Sequence, residues 1–167
     1  MSIFEVLDSV LELQSRRLRA NGIKLEKEFR GSAMIQGYPN ELKQVFLNLI
    51  GNAIEAMKDG GRLRISVDER SELKTGRRGV RVSVCDTGSG IDALYAKRIF
   101  EPFFTTKDVK GTGLGLWISR GIIQKYDGTI RFRSLHYGSG RATCFSVFIP
   151  IMPALTSVGF SMSAVAG

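Results

Sequence analysis

Two glycine-rich turns, "CDTGSGID" at residues 85 to 92 and "KGTGLGLW" at 110 to 117, constrain the fold of this chain more than any other feature. The first interrupts "GVRVSVCD", whose apolar residues alternate with period two, so it ends a strand. The second opens an apolar-periodic stretch that runs to Tyr126 and stops at Asp127-Gly128, so it begins a helix. At both places glycine leaves the backbone bare, and bare backbone is useful where something must come close.

The segments around these turns supply the remaining elements. Residues 3 to 20 place Phe4, Leu7, Val10, Leu11 and Leu18 at helical spacing and end at Asn21-Gly22, a C-cap pair. "IKLEKEF" (23 to 29) alternates as a half-buried strand does, and "GSAMIQG" supplies a short second strand. Asn40 is placed to cap a long helix through Met57, which Asp59-Gly60-Gly61 ends. "RLRISVDE" (62 to 69) and "GVRVSVCD" (79 to 86) form a hairpin around residues 74 to 79. A short helical patch is expected from Ala93 to Phe100, and "TIRFRS" and "TCFSVFI" form a last strand pair around "HYGSG". Without regular βαβ alternation, the class is α+β, a layered sandwich of sheet and helices.

At 167 residues and 43% hydrophobic side chains, the chain fills one core. One domain is expected over residues 1 to 152, followed by a loose tail over 153 to 167. The stretch from Ala142 to Gly167 carries no charge and is long enough to span a bilayer, but Pro150, Pro153, Gly159 and several Ser and Thr interrupt it. Cys85 and Cys144 both lie in apolar runs, so a disulfide framework is not expected, nor does any Cys/His spacing suggest a metal site. A reducing, cytoplasmic setting is expected, and a signal peptide is not expected, since no basic stretch followed by an apolar one opens the sequence. The net charge of +8 suits nucleotide phosphates, nucleic acid or an acidic protein, without choosing among them.

On the long helix, Glu41, Gln44, Asn48, Asn52, Glu55 and Asp59 fall within about 40° of one line. The rest of the circumference is apolar, so this polar seam faces water or a ligand, because unpaired burial of amides and carboxylates is costly. Two asparagines in place of Lys or Arg favour the ligand, since Asn contributes little to a surface helix. Oxygen donors facing a cleft suit a hard cation such as Mg²⁺.

Asp86, at the end of its strand, brings a carboxylate to the floor of a site walled by glycine. "GSGIDA" also fits a dinucleotide fingerprint, but an aspartate beside the pyrophosphate and the lack of a preceding parallel βαβ unit argue against that use. The carboxylate is better suited to accept from an exocyclic amine such as that of adenine, with glycines letting a flat ring approach. "GTGLGL" at a helix start offers backbone N–H groups and a positive dipole end to an anion, with Lys107 and Lys110 nearby. Residues 105 to 113 read as a lid over the ligand, bounded before by "IFEPFF".

Taken together and in this order, "NLIGNAIEAM", "DTGSGI", "RIFEPFFTTK" and "GTGLGLWIS" resemble the N, G1, F and G2 boxes of sensor histidine kinases over about residues 3 to 150. The resemblance implies the Bergerat fold of the gyrase, Hsp90, histidine kinase and MutL type: a two-layer α/β sandwich whose mixed sheet of about five strands carries helices on one face. ATP would lie between the helices and a lid. Asn52 then matches the Mg²⁺ ligand, and Asn48 the partner that approaches phosphates and metal, these two being the candidate catalytic residues. Asp86 matches the acceptor for the adenine amine, with Gly88, Gly90 and Ile91 beneath the base. Phe100, Phe103 and Phe104 match the lid anchor. Gly111, Thr112, Gly113, Leu114, Gly115 and Leu116 match the phosphate loop, and Glu55, Lys107 and Lys110 complete the expected nucleotide contacts.

The same resemblance implies phosphoryl transfer to a histidine on a dimerisation hairpin, relay to a response regulator receiver domain, and a homodimeric parent kinase. No counterpart of that hairpin is seen, because the only histidine, His136, stands in a late turn. Inactivity as a lone autokinase is therefore expected. An ATP hydrolase of the same superfamily is the main alternative, but it would carry a glutamate one turn before the metal-binding asparagine, and Asn48 is a poor base there. A basic nucleic-acid module is a weaker one, since the arginine-rich strands lack interleaved exposed aromatics. Neither nucleic acid nor membrane contact is expected of this domain.

Overall fold

A computed structural model of the chain describes residues 1–107, 111–137 and 140–151. The alternating segments form a five-stranded sheet of β1 (Ile23–Phe29), β2 (Gly61–Ser71), β3 (Arg78–Asp86), β4 (Thr129–Tyr137) and β5 (Gly140–Pro150), in the order β1-β2-β3-β5-β4. Three helices, α1 (Ile3–Ala20), α2 (Pro39–Ala56) and α3 (Gly115–Lys125), complete the described elements. β1 runs parallel to β2 with α2 between them in sequence, so a parallel βαβ unit does precede the first glycine turn, contrary to expectation. That turn follows β3, which is antiparallel to β2, and the other pairs are antiparallel too, so the sheet is mixed.

Period-two alternation decides which side of the sheet the helices cover. Leu63, Ile65 and Val67 of β2, Val80, Val82 and Val84 of β3, and Val147 and Ile149 of β5 join one core with the helices. Arg62, Arg64, Arg131 and Arg133, at the intervening positions of β2 and β4, are exposed on the other face. The result is a two-layer α+β sandwich. α2 is its central helix, contacting both α1 and α3. Its Leu42, Val45, Phe46, Leu49 and Ile50 are each at most 1% exposed. Burying each such side chain stabilises the fold by about 1.5–3 kcal/mol, and Phe46→Ala would cost about 3–5 kcal/mol through the cavity it leaves.

Several local expectations are corrected. α2 begins at Pro39 with Tyr38 as N-cap, and no side chain caps it; proline at the first position has no N–H to satisfy, so Asn40 is not needed there. "GSAMIQG" makes only a single bridge, Ser2 to Met34, because the left-handed backbone at Gly31 and Ala33 breaks the extended run. Residues 93–100 form successive turns rather than a helix, with N–H groups of Tyr95, Ala96 and Arg98 bonding three residues back. His136 is not in a turn but on β4, opposite Arg141. The two cysteines are not independent: Cys85 and Cys144 stand directly opposite on β3 and β5 and are joined as a disulfide. Their apolar neighbours turn inward, the cysteines alternate outward, and 59 residues of sequence hide the fact that these strands are adjacent. Among the described residues no helix is long and apolar enough to cross a membrane. Lys110 and the tail from 153 lie outside the described residues.

Candidate functional site

A cleft of about 1150 Å³ opens between α2, the ends of β3 and β5, and the two glycine turns. At its floor Asp86 is 4% exposed, and the Gly88 N–H donates to its Oδ1 at 2.9 Å. Burial pushes this carboxyl up to about 6, and the Gly88 N–H offsets that only in part. Oδ2 has no hydrogen-bond partner among the described residues and is left to a ligand. Thr143, equally buried and paired with Asp86 across β3 and β5, puts a hydroxyl beside it.

Gly90, Ile91, Tyr95, Ile99, Phe104 and Phe145 add flat or apolar surface to the same cleft. Gly88 does not line it. A Cβ there would strike the Ala56 carbonyl, which also accepts from the Ser89 N–H at 3.1 Å, so this glycine lets the turn lie against the end of α2.

On the opposite wall the polar seam of α2 divides. Asn48, Asn52 and Glu55 line the cleft. Asn48 Nδ2 donates to the buried Ser119 Oγ at 3.1 Å, and its Oδ1 lies where a side chain on Gly115 would be. Lys107 Nζ donates to Asn52 Oδ1 at 2.9 Å and forms an ion pair with Glu55, which Arg17 of α1 also approaches at 3.5 Å. Asn52 and Glu55 thus converge on a place that already accepts a cation, and their hard oxygen donors fit Mg²⁺. The far end of the seam serves another purpose. Glu41 accepts from Lys125 Nζ and from Tyr126 Oη at 2.6 Å; the lysine first and the tyrosine second hold its carboxyl below the usual range and tie α2 to the end of α3. Gln44 is exposed, and Asp59 lies beyond the helix end.

The second turn delivers the N-terminus of α3 to the cleft through Gly111, Thr112, Gly113, Gly115 and Leu116. No side chain caps this helix and no acid stands in its first turn, so its leading N–H groups and dipole end remain for an anion. Leu114 is the N-cap residue, whose N–H donates to Thr112 Oγ1 at 3.4 Å, and its side chain is not on the cleft wall. Gly113 has φ +69° and packs on the backbone of Phe103, where a Cβ would collide.

Comparison with known proteins agrees with this arrangement. Residues 37–153 match the family "Histidine kinase-, DNA gyrase B-, and HSP90-like ATPase". The chain belongs to this family. Sporulation kinase C of Bacillus subtilis (strain 168) is 39% identical over 149 residues, covering 88% of this chain and 32% of that kinase. The catalytic domain of histidine kinase ThkA superposes with a TM-score of 0.73 at 33% identity, covering 90% of this chain and 93% of that one. ThkA in complex with the response regulator protein TrrA gives a TM-score of 0.68 at 30% identity, over 90% of this chain and 40% of that one. The chain therefore has the fold of a histidine kinase catalytic domain and spans about a third of the length of sporulation kinase C.

Within that family frame, the aromatic segment before the lid divides three ways. Phe100 leaves the cleft and packs on Phe132 and Phe145, with ring centroids 6.3 and 6.4 Å away. Phe104 lines the cleft and meets Tyr95 at 5.6 Å. Phe103 is 76% exposed, so its backbone rather than its ring anchors the turn. Sequence reasoning missed Thr143, Phe145 and Arg141 of β5, together with Lys58. The β5 residues reach the site only because β5 inserts between β3 and β4, a topology that no local pattern reports.

Proposed function

We propose that the cleft binds ATP with Mg²⁺ and that this chain is the phosphoryl-donating part of a two-component sensor kinase. The observation that carries the reading is Asp86, a buried carboxylate with one oxygen committed to Gly88 and the other open to the cleft. That is an acceptor suited to an exocyclic adenine amine, and the apolar surface of Ile91, Ile99 and Phe104 suits the ring. The triphosphate would extend toward the uncapped start of α3, where Lys107 adds positive charge beside Gly111.

Asn52 and Glu55 would hold the Mg²⁺, with Asn48 beside them. The bound metal would neutralise charge on the phosphate oxygens during transfer. Ser119 fixes the Asn48 amide, and the α3 amides hold the γ-phosphate in line for an attacking nitrogen. That nitrogen belongs to a histidine on a phosphoacceptor hairpin outside these residues, in a homodimeric kinase that hands the phosphoryl group to a response regulator receiver domain. The setting is cytoplasmic.

Asn48 offers no base for water, and Glu55 is held between Arg17 and Lys107, so transfer is favoured over hydrolysis. Titration calorimetry with ATP, in the presence and absence of Mg²⁺, tests the reading. Saturable binding that Mg²⁺ strengthens and that GTP does not match is expected. No binding, or equal binding of GTP, refutes it.

A further inference from the structure

We propose that the Cys85–Cys144 pair is a thiol–disulfide exchange site that sets the affinity of the cleft, an inference that rests on the nucleotide reading above. The two cysteines are joined across β3 and β5, half-buried, on the face of the sheet turned away from the helices. The next register pair is Asp86 with Thr143, which points the other way into the cleft floor. The sulfurs therefore stand one residue behind the acceptor assigned to adenine.

Two features mark the pair as reactive rather than merely structural. The core is complete without it, because one apolar cluster joins all three helices to the sheet, whereas domains that depend on disulfides are those that lack such a core. The pair also lies in a row with two arginines: Arg64 is opposite Cys85 on β2, and Arg133 is opposite Cys144 on β4. Arg64 shares its charge with Glu26 and Glu28 at 3.3 and 3.6 Å, while Arg133 forms no ion pair among the described residues. Guanidinium groups beside half-buried sulfurs stabilise the thiolate, the species that attacks and leaves in exchange.

The step is a two-electron reduction by a thiol. The thiolate of a dithiol attacks one Sγ, the protein S–S bond breaks, and the other protein sulfur leaves as a thiolate. The second thiol of the reductant then displaces the first protein sulfur, giving two protein thiols and one oxidised reductant. Reduction removes the covalent tie that holds β3 against β5 next to Asp86 and Thr143, so the floor of the cleft is free to shift. Displacing one hydrogen-bond acceptor weakens nucleotide binding by roughly threefold to tenfold.

The test equilibrates the chain with mixtures of reduced and oxidised dithiothreitol, traps free thiols by alkylation and counts them by mass. ATP affinity and the melting curve are then measured in each state. Expected are a single transition between no and two alkylated thiols, a folded reduced form, and tighter ATP binding by the oxidised form. Cys144→Ser should make affinity insensitive to reductant, and Arg133→Gln should slow the exchange. Equal affinity in both states, persistence of the difference in Cys144→Ser, failure of the thiols to oxidise, or unfolding on reduction each overturns the proposal. Absence of ATP binding in both states refutes the nucleotide reading and the coupling with it, while the thiol count still reports whether exchange occurs.

Discussion

Replacing Asp86 by Asn separates the role of this residue in binding from its role in folding. Moving its carboxyl from the ordinary 3.8 to about 6 means that burial disfavours the ionised form by about 3 kcal/mol. Because the folded pKa lies above the unfolded one, the folded protein holds the proton more tightly. From this group, stability is highest below about pH 4, falls as pH rises through the window to about 6, and carries the full cost above it. An asparagine never ionises, and its Oδ1 can still accept from the Gly88 N–H. At neutral pH the variant should therefore be at least as stable as the wild type, by up to about 3 kcal/mol.

Binding should move the other way. The amide replaces one acceptor by a donor facing the adenine amine, which loses a hydrogen bond and leaves two donors opposed. A cost of about 1.4–2.8 kcal/mol, or tenfold to a hundredfold in affinity, is expected. Calorimetry for ATP and urea melts at neutral and acidic pH measure both quantities. Wild-type affinity should also fall relative to the variant as pH drops through about 6, the variant serving as the control for titration of ATP itself. Equal affinities would refute the adenine assignment. A variant clearly less stable at neutral pH would refute the claim that the carboxylate is costly to bury.

Other expectations follow from the same geometry. Asn52→Ala should remove the Mg²⁺-dependent gain in ATP affinity while leaving metal-free binding close to wild type, as measured by paired titrations with and without the metal. Gly113→Ala should destabilise the fold by at least about 1–2 kcal/mol in urea melts, since alanine resists the left-handed backbone at φ +69° and its Cβ meets Phe103. In hydrogen exchange, the amides of Thr105–Lys107 and Gly111–Gly113 should be slowed by ATP, because both segments line the cleft. Incubated alone with labelled ATP, the chain should stay unlabelled, His136 being on β4 and not among the residues lining the cleft; acid-labile label lost in His136→Ala would contradict this.

The parts of this molecule that were legible in the sequence are those written in local periodicity. Alternation in residues 62 to 69 and 79 to 86 marks β2 and β3 because each residue's face is fixed by its own position in the pleat. The glycine turns were legible because bare backbone has few other uses. Legibility failed where the outcome depends on a neighbour distant in sequence. Cys85 and Cys144 sit in runs that read as core, and only the insertion of β5 beside β3 makes them partners. Thr143 enters the cleft for the same reason.

The seam of α2 shows the distinction within a single element. Glu41, Asn48, Asn52 and Glu55 lie on one line of the helix, and nothing local separates them. Tyr126 and Lys125 at the end of α3 claim Glu41 for the scaffold, whereas Ser119 only fixes the Asn48 amide and leaves Asn48, Asn52 and Glu55 on the cleft wall. The line divides where α3 crosses it, so α3 both closes the scaffold with one end and opens the anion site with the other. A substitution that shifted α3 along α2 would therefore disturb Glu41 and Asn48 together, which couples the helix packing to the position of the proposed phosphate site.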